Sequence, residues 1–337
     1  MRRRILFYSS VERVDLFYTQ KFYSIDISIL KDLGYEVVLT NKLYDFLVKK
    51  YDIAFIYFYK WGFFSGFFAR LRGKKVFYTG GIDELDRNYA SRKRYFMQLL
   101  FFKLCRLVSN SCLIVSMADL YNIRKIYNNC IPDKLSLVYH AIDFDAFTPD
   151  LKKKNLDFVT IAWMESIENV RRKGVDLAIY YFNELIQKRE FSESRMHIIG
   201  KEGEGSDFLK KVIISLHLED KVDFVGAIDE KQKVAYLKKC GYYFQLSLYE
   251  GFGLAALEAL AAKCIVIHSG RGGLKELVGN SGVLVDLSSY NNISKLYTDL
   301  LAITSETINS HRDFLKQNYD LHIRRKSLEN IINDNYI

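Results

Sequence analysis

Residues 242–269 read YYFQLSLYEGFGLAALEALAAKCIVIHS. The first seven form an apolar, aromatic-rich run of strand length, ALEALAA (256–262) is built from strong helix formers, and CIVIHS (264–269) is a second β-branched run. A strand, a turn, a helix and another strand form one crossover unit of a parallel α/β sheet. The turn carries Glu250-Gly251-Phe252-Gly253. Its two glycines leave no Cβ where a ligand would approach the backbone, and the helix after Gly253 aims unpaired N–H groups at the same place, which suits a diphosphate. Glu258 follows a turn and a half into the helix, about 8 Å along its axis. A carboxylate accepts hydrogen bonds in pairs and so fits the vicinal hydroxyls of a sugar or ribose. Two carboxylates flanking an anion site therefore fit a sugar nucleotide. For either glutamate alone, the favourable field at a helix N-terminus is a sufficient explanation.

The same alternation extends in both directions. Upstream, RILFYSS (4–10), YEVVLTN (35–41), YDIAFIYFY (51–59), KKVFYTG (74–80), CLIVSM (112–117) and KLSLVYH (134–140) read as strands between helical segments. After Pro149 the pattern restarts with FVTIAWM (158–164), MHIIG (196–200), KVDFVG (221–226), 242–248, 264–269 and GVLVDL (282–287). At 337 residues the chain exceeds what one core supports. The only prolines, Pro132 and Pro149, flank one short region, which reads as a linker. The expectation is α/β throughout: two Rossmann-like domains, 1–148 and 149–312, with parallel sheets facing a central cleft, and a C-terminal helix in 313–337 crossing back to the first domain.

Five cysteines without a CxxC pair, and odd in number, read as reduced, buried thiols of a cytoplasmic protein. The apolar run after MRRR is too short for a signal peptide, and no run of 18 apolar residues occurs, so a cytosolic protein is expected, placed at the inner face of the cell membrane if its partner is a lipid. The charge is uneven. Residues 1–150 hold 23 Lys and Arg against 15 Asp and Glu, while residues 151–337 hold 26 against 25. A basic half beside a neutral one points to an anionic partner for the first domain.

From 134 to 287 the chain resembles, motif after motif, the group 1 nucleotide-sugar glycosyltransferases of retaining type. The matching stretches are LVYHAIDFDAF (137–147), RKGVDLAI (172–179), HIIGKEGEG (197–205), KVDFVGAI (221–228) and EGFGLAALEALAAKCIVIHSGRGGLKEL (250–277). The resemblance implies a GT-B fold and transfer of a sugar from a UDP- or GDP-linked donor to a glycan or lipid-linked acceptor of the lipopolysaccharide, O-antigen or capsule type. It assigns Glu250 to the donor-sugar hydroxyls, Glu258 to the ribose, and Lys173 to the leaving diphosphate. Gly251 and Phe252 would be among the donor-binding residues, the backbone of Gly253, Leu254 and Ala255 would form the anion cradle, Arg172 or Arg171 would add a second positive charge, and the main chain of Ile228 would meet the base. A fixed cation and helix N–H groups stabilise the departing phosphate, so neither metal nor other cofactor is expected.

The chain departs from the family pattern at three places: Ala162-Trp163-Met164 where the family often has Gly-Arg-Leu, with extra residues before Arg171-Arg172-Lys173; SSVERVD (9–15) where it often has a glycine-rich loop; and VFYTGGID (76–83), which lacks the family's histidine. His140 is the remaining catalytic candidate in the first domain, with a structural hydrogen bond as its alternative role. A sugar-nucleotide epimerase of the same layout, or a nucleotide-sugar-binding protein without catalysis, are the competing readings. Two further segments, WGFFSGFFARLRGKK (61–75) and SRKRYFMQLLFFKLCRL (91–107), interleave aromatic and basic residues. They read either as contacts with an anionic membrane or as core helices with charged ends. Nucleic acid is not expected, because no nucleic-acid-binding motif accompanies the charge.

Overall fold

The structure is a computed structural model that describes residues 2–150, 154–287 and 293–334. By internal contacts the chain divides into two units, Met1–Ile142 with Tyr319–Ile337, and Asp143–Asn318.

In the first unit, β1 (Arg4–Tyr8), β2 (Glu36–Thr40), β3 (Ile53–Tyr57), β4 (Lys75–Thr79), β5 (Ser111–Ile114) and β6 (Leu135–Leu137) form one parallel sheet in the order β2-β1-β3-β4-β5-β6. Its strands are apolar on both faces, as a sheet covered by helices on both sides requires. Leu6, Ala54, Ile56 and Val76 pack into one core, and Ile5, Phe7, Ile53 and Phe55 into the other. The last helix, Leu321–Asp334, completes the second core with Leu328 and Ile332. It also brings in Arg324, a fully buried guanidinium that donates to Asp26 at 2.5 and 2.7 Å and to the carbonyls of Val138 and Tyr139.

In the second unit, β7 (Asn155–Ile161), β8 (Met196–Ile199), β9 (Val222–Gly226), β10 (Cys240–Gln245), β11 (Ile265–His268) and β12 (Gly282–Leu284) are again all parallel, in the order β12-β11-β10-β7-β8-β9. The direction of winding reverses between β7 and β10. In such sheets ligands bind outside the carboxyl ends of the strands at that point. All twelve strands expected from the sequence are present. Four cysteines are buried and Cys130 is exposed, and none is disulfide-bonded.

Candidate active site

The residues after the carboxyl ends of β7 and β10 meet at the switch point. Beyond β7 the chain enters a short helix, Ile167–Lys173, whose Ser166 cap accepts from the Asn169 N–H. This helix holds the extra residues that follow Ala162-Trp163-Met164. Its last turn is Arg171-Arg172-Lys173, and Gly174 ends it at φ 67° before the helix Val175–Leu185 begins. The chain after β10 grips this corner: the Leu248 N–H donates to the Arg172 carbonyl at 2.8 Å. A Cβ on Gly174 would lie 2.2 Å from the Leu246 carbonyl oxygen. Gly174→Ala is therefore expected to force both a left-handed conformation and a backbone shift. It should destabilise the chain by about 2–4 kcal/mol in urea unfolding, with Lys173 displaced.

Lys173 reaches across to Glu250, its Nζ 2.5 Å from Oε1. Three donors converge on that one oxygen: Lys173 Nζ, Ser247 Oγ at 2.8 Å and Gln245 Nε2 at 2.9 Å. Gln245 is oriented in turn by the buried Tyr243 hydroxyl, which donates to its Oε1 at 2.8 Å. The other carboxylate oxygen, Oε2, has no hydrogen-bond partner among the described residues. Burial pushes the Glu250 pKa up, but the Lys173 charge and hydrogen bond, the Ser247 hydroxyl and the Arg172 charge outweigh it. The net value lies below the ordinary glutamate range, so Glu250 is an anion. The loop is braced from behind by the Gly273 N–H on the Glu250 carbonyl at 2.8 Å.

The helix Leu254–Ala261 starts immediately after. Gly253 precedes it at φ 99°, without a side-chain cap, and the N–H groups of Leu254 and Ala255 make no hydrogen bond among the described residues. Gly251, Leu254 and Ala255 are half-buried, and Phe252 is buried. Glu258 is almost wholly buried and paired with Lys233 Nζ at 2.7 Å. Burial works against the Lys233 charge, yet Glu258 and then Glu230 more than restore it, and its pKa lies above that of an ordinary lysine. Ile228, half-buried, lies in the loop between β9 and the helix Glu230–Lys239 that carries Lys233.

The structure thus brings together Lys173 and Glu250, with the Arg172 charge acting on the same carboxylate. Of the two arginines considered as a second cation, Arg172 is held by the Asn169 side-chain oxygen, and Arg171 lies over the Phe208 ring. His140 belongs to the first unit, buried against the Phe22 ring. Burial first, then the Arg324 charge, push its pKa well below the usual value, so it is neutral. In the segment that follows, Asp143 accepts from the N–H groups of Asp145 and Ala146, and Asp145 pairs with Lys316. Sequence reasoning missed Gln245, Ser247 and Lys233. A usable signal existed for the first two, since Tyr243, Gln245 and Ser247 alternate with period two in an otherwise apolar strand. Lys233 is one of four lysines in 230–240 and carries no local mark.

Two parallel doubly wound sheets with a charged site at a switch point define the class. In fold the chain is a GT-B protein. It matches sucrose-phosphate synthase from Thermosynechococcus elongatus with a TM-score of 0.77 at 16% identity, covering 99% of both chains. It matches Anabaena HepE in complex with UDP and glucose with a TM-score of 0.71 at 16% identity, covering 99% of this chain and 100% of that one. The sequence then gives the family. Residues 154–319 match the model of the glycosyl transferases group 1, and through this region the chain belongs to that family. A human phosphatidylinositol N-acetylglucosaminyltransferase subunit is 30% identical over 154 residues, 46% of this chain and 31% of that protein. The Campylobacter jejuni N-acetylgalactosamine-N,N'-diacetylbacillosaminyl-diphospho-undecaprenol 4-alpha-N-acetylgalactosaminyltransferase is 30% identical over 169 residues, 48% of this chain and 43% of that protein. The chain spans less than half the length of these curated relatives.

Proposed function

We propose that this chain is a glycosyltransferase that moves a sugar from a nucleotide-sugar donor to a lipid-linked or cell-envelope glycan, with retention at the anomeric carbon and without a metal ion. The observation that carries the reading is the Lys173–Glu250 pair at the switch point, set beside an uncapped helix N-terminus. In the reaction, the bond from the anomeric carbon to the phosphate oxygen breaks, the acceptor hydroxyl oxygen takes its place as its proton passes to the departing phosphate oxygen, and the nucleoside diphosphate leaves with the negative charge that builds as the bond breaks. Lys173, Arg172 and the free N–H groups of Leu254 and Ala255 are the groups that receive this charge. Glu250, with one oxygen saturated and the other open, accepts hydrogen bonds from the donor sugar. Glu258, held by Lys233, accepts from the ribose, and the main chain at Ile228 meets the base.

A uridine nucleotide is supported by HepE, whose structure holds UDP and glucose. A lipid-linked acceptor is supported by the names of the two curated relatives, one acting on a diphospho-undecaprenol glycan and the other on phosphatidylinositol. The test is a thermal-stability screen against UDP, GDP, ADP and their sugars. A nucleotide at a hundred times its Kd is expected to add about 2.7 kcal/mol of stability. Glu258→Ala should weaken that binding about 10–100-fold, the loss expected for hydrogen bonds to a charged group. Binding without acceptor-dependent release of nucleotide from a labelled donor would identify a binding protein, and an isomerised sugar nucleotide an epimerase. If no nucleotide stabilises the chain, the reading fails.

A further inference from the structure

The two segments that mix aromatic and basic residues form neighbouring helices of the first unit, Gly62–Leu71 and Arg92–Val108, which pack side by side. The second helix has a core face, where Tyr95, Phe102 and Cys105 are buried. Its opposite face is not spare core: Phe96, Leu100 and Leu107 are 52%, 56% and 69% exposed, at the spacing of one helical stripe. Phe64 and Leu71 on the first helix, and Trp61 at its N-cap, are likewise exposed. The two stripes are joined through Phe101, whose ring lies 6.2 Å from Trp61 and 6.4 Å from Phe64.

The charges on this ridge are of one sign. Neither 61–75 nor 91–107 contains a single Asp or Glu. Arg94 and Lys60 are taken up by Glu84 from outside the ridge. The side chains of Arg70, Lys93 and Lys103 have neither an acidic partner nor a hydrogen bond among the described residues, and the Arg92 guanidinium rests over the Phe96 ring. Apolar side chains projecting between unpaired cations match the two layers of a bilayer surface: the rings and leucines enter the acyl boundary while the lysine and arginine heads stay among lipid phosphates. A protein partner is a poorer match, since protein interfaces are depleted in lysine at their centre.

We propose that this ridge is a docking surface for an anionic lipid bilayer, with Trp61, Phe64 and Leu100 as the inserting residues and Arg70, Lys93 and Lys103 as the phosphate contacts. The proposal stands on the first unit alone and does not depend on the transfer reaction. Helical spacing alone puts Tyr95, Leu99 and Phe102 on one face of the second helix, but Tyr95 and Phe102 face the core and Arg94 is already paired.

The experiment is flotation of the full chain with vesicles of phosphatidylglycerol and phosphatidylcholine, against phosphatidylcholine alone, at low and high salt. The wild type is expected to float with the anionic vesicles and to be released by salt. Lys93→Ser/Lys103→Ser should lower partitioning into anionic vesicles about 25-fold, about fivefold for each basic side chain. Trp61→Ser/Phe64→Ser should abolish flotation while circular dichroism and thermal stabilisation by nucleotide stay unchanged. Wild type remaining in the soluble fraction, or both variants floating like wild type, would overturn the proposal. So would a wild-type dimer in light scattering that Trp61→Ser/Phe64→Ser converts to monomer, for the ridge would then cover a second copy of this chain.

Discussion

Lys173→Ala is expected to lower turnover about 10²–10³-fold, the usual loss when one preorganised group facing a developing oxyanion is removed. Two effects of the substitution act in the same direction. On the proposed reading, the departing diphosphate loses Lys173, the cation paired with Glu250. Glu250 also loses the largest influence that opposes burial, and keeps only the Ser247 and Gln245 hydrogen bonds and the Arg172 charge. Its pKa must therefore rise. In the wild type the Glu250 pKa is depressed, so the anion persists down through the ordinary glutamate range and is lost only at more acidic pH. In Lys173→Ala the acid limb of the pH–rate profile should move to higher pH, a change that simple loss of fold would not produce. Lys173→Arg, which keeps the charge, should restore part of the rate and most of the profile. Single-turnover measurement of donor consumption across pH reads both quantities. A Lys173→Ala variant within threefold of wild type, with an unmoved acid limb, would show that the Lys173–Glu250 pair is only a structural tie.

The largest effect on stability should come from the other end of the chain. Asp26→Ala would leave the Arg324 guanidinium fully buried with only carbonyl partners, and would strip the Tyr57 hydroxyl of the carboxylate it donates to at 2.6 Å. Breaking a buried ion pair from one side typically costs about 3–5 kcal/mol, because the remaining charge stays desolvated. Replacing both partners, Asp26→Leu with Arg324→Met, removes that uncompensated charge and should recover most of the loss. Equilibrium urea unfolding of the two single variants and the double variant checks this. A double variant no more stable than Asp26→Ala would show that apolar side chains cannot fill the space the pair occupies.

Much of this protein was legible in its residues. The twelve strands, the crossover helices and the position of the glutamate-bearing turn follow from local apolar runs and turn residues, which act over a few positions and leave a periodic trace. The two glutamates of 250–258 stood out in the same way, because glycines at a strand-to-helix turn and carboxylates at a helix N-terminus are local patterns with a chemical meaning, whereas Lys173 was singled out only by the family resemblance. What the residues could not show was pairing across long separations. Nothing near Asp26 points to Arg324, 298 residues away, and nothing in 230–240 distinguishes the lysine that holds Glu258 from its neighbours. Helical spacing placed Tyr95, Leu99 and Phe102 on one face, but which face of Arg92–Val108 met the core and which met solvent was decided by packing. Both faces of that helix are apolar, and only the sheet beneath it breaks the tie.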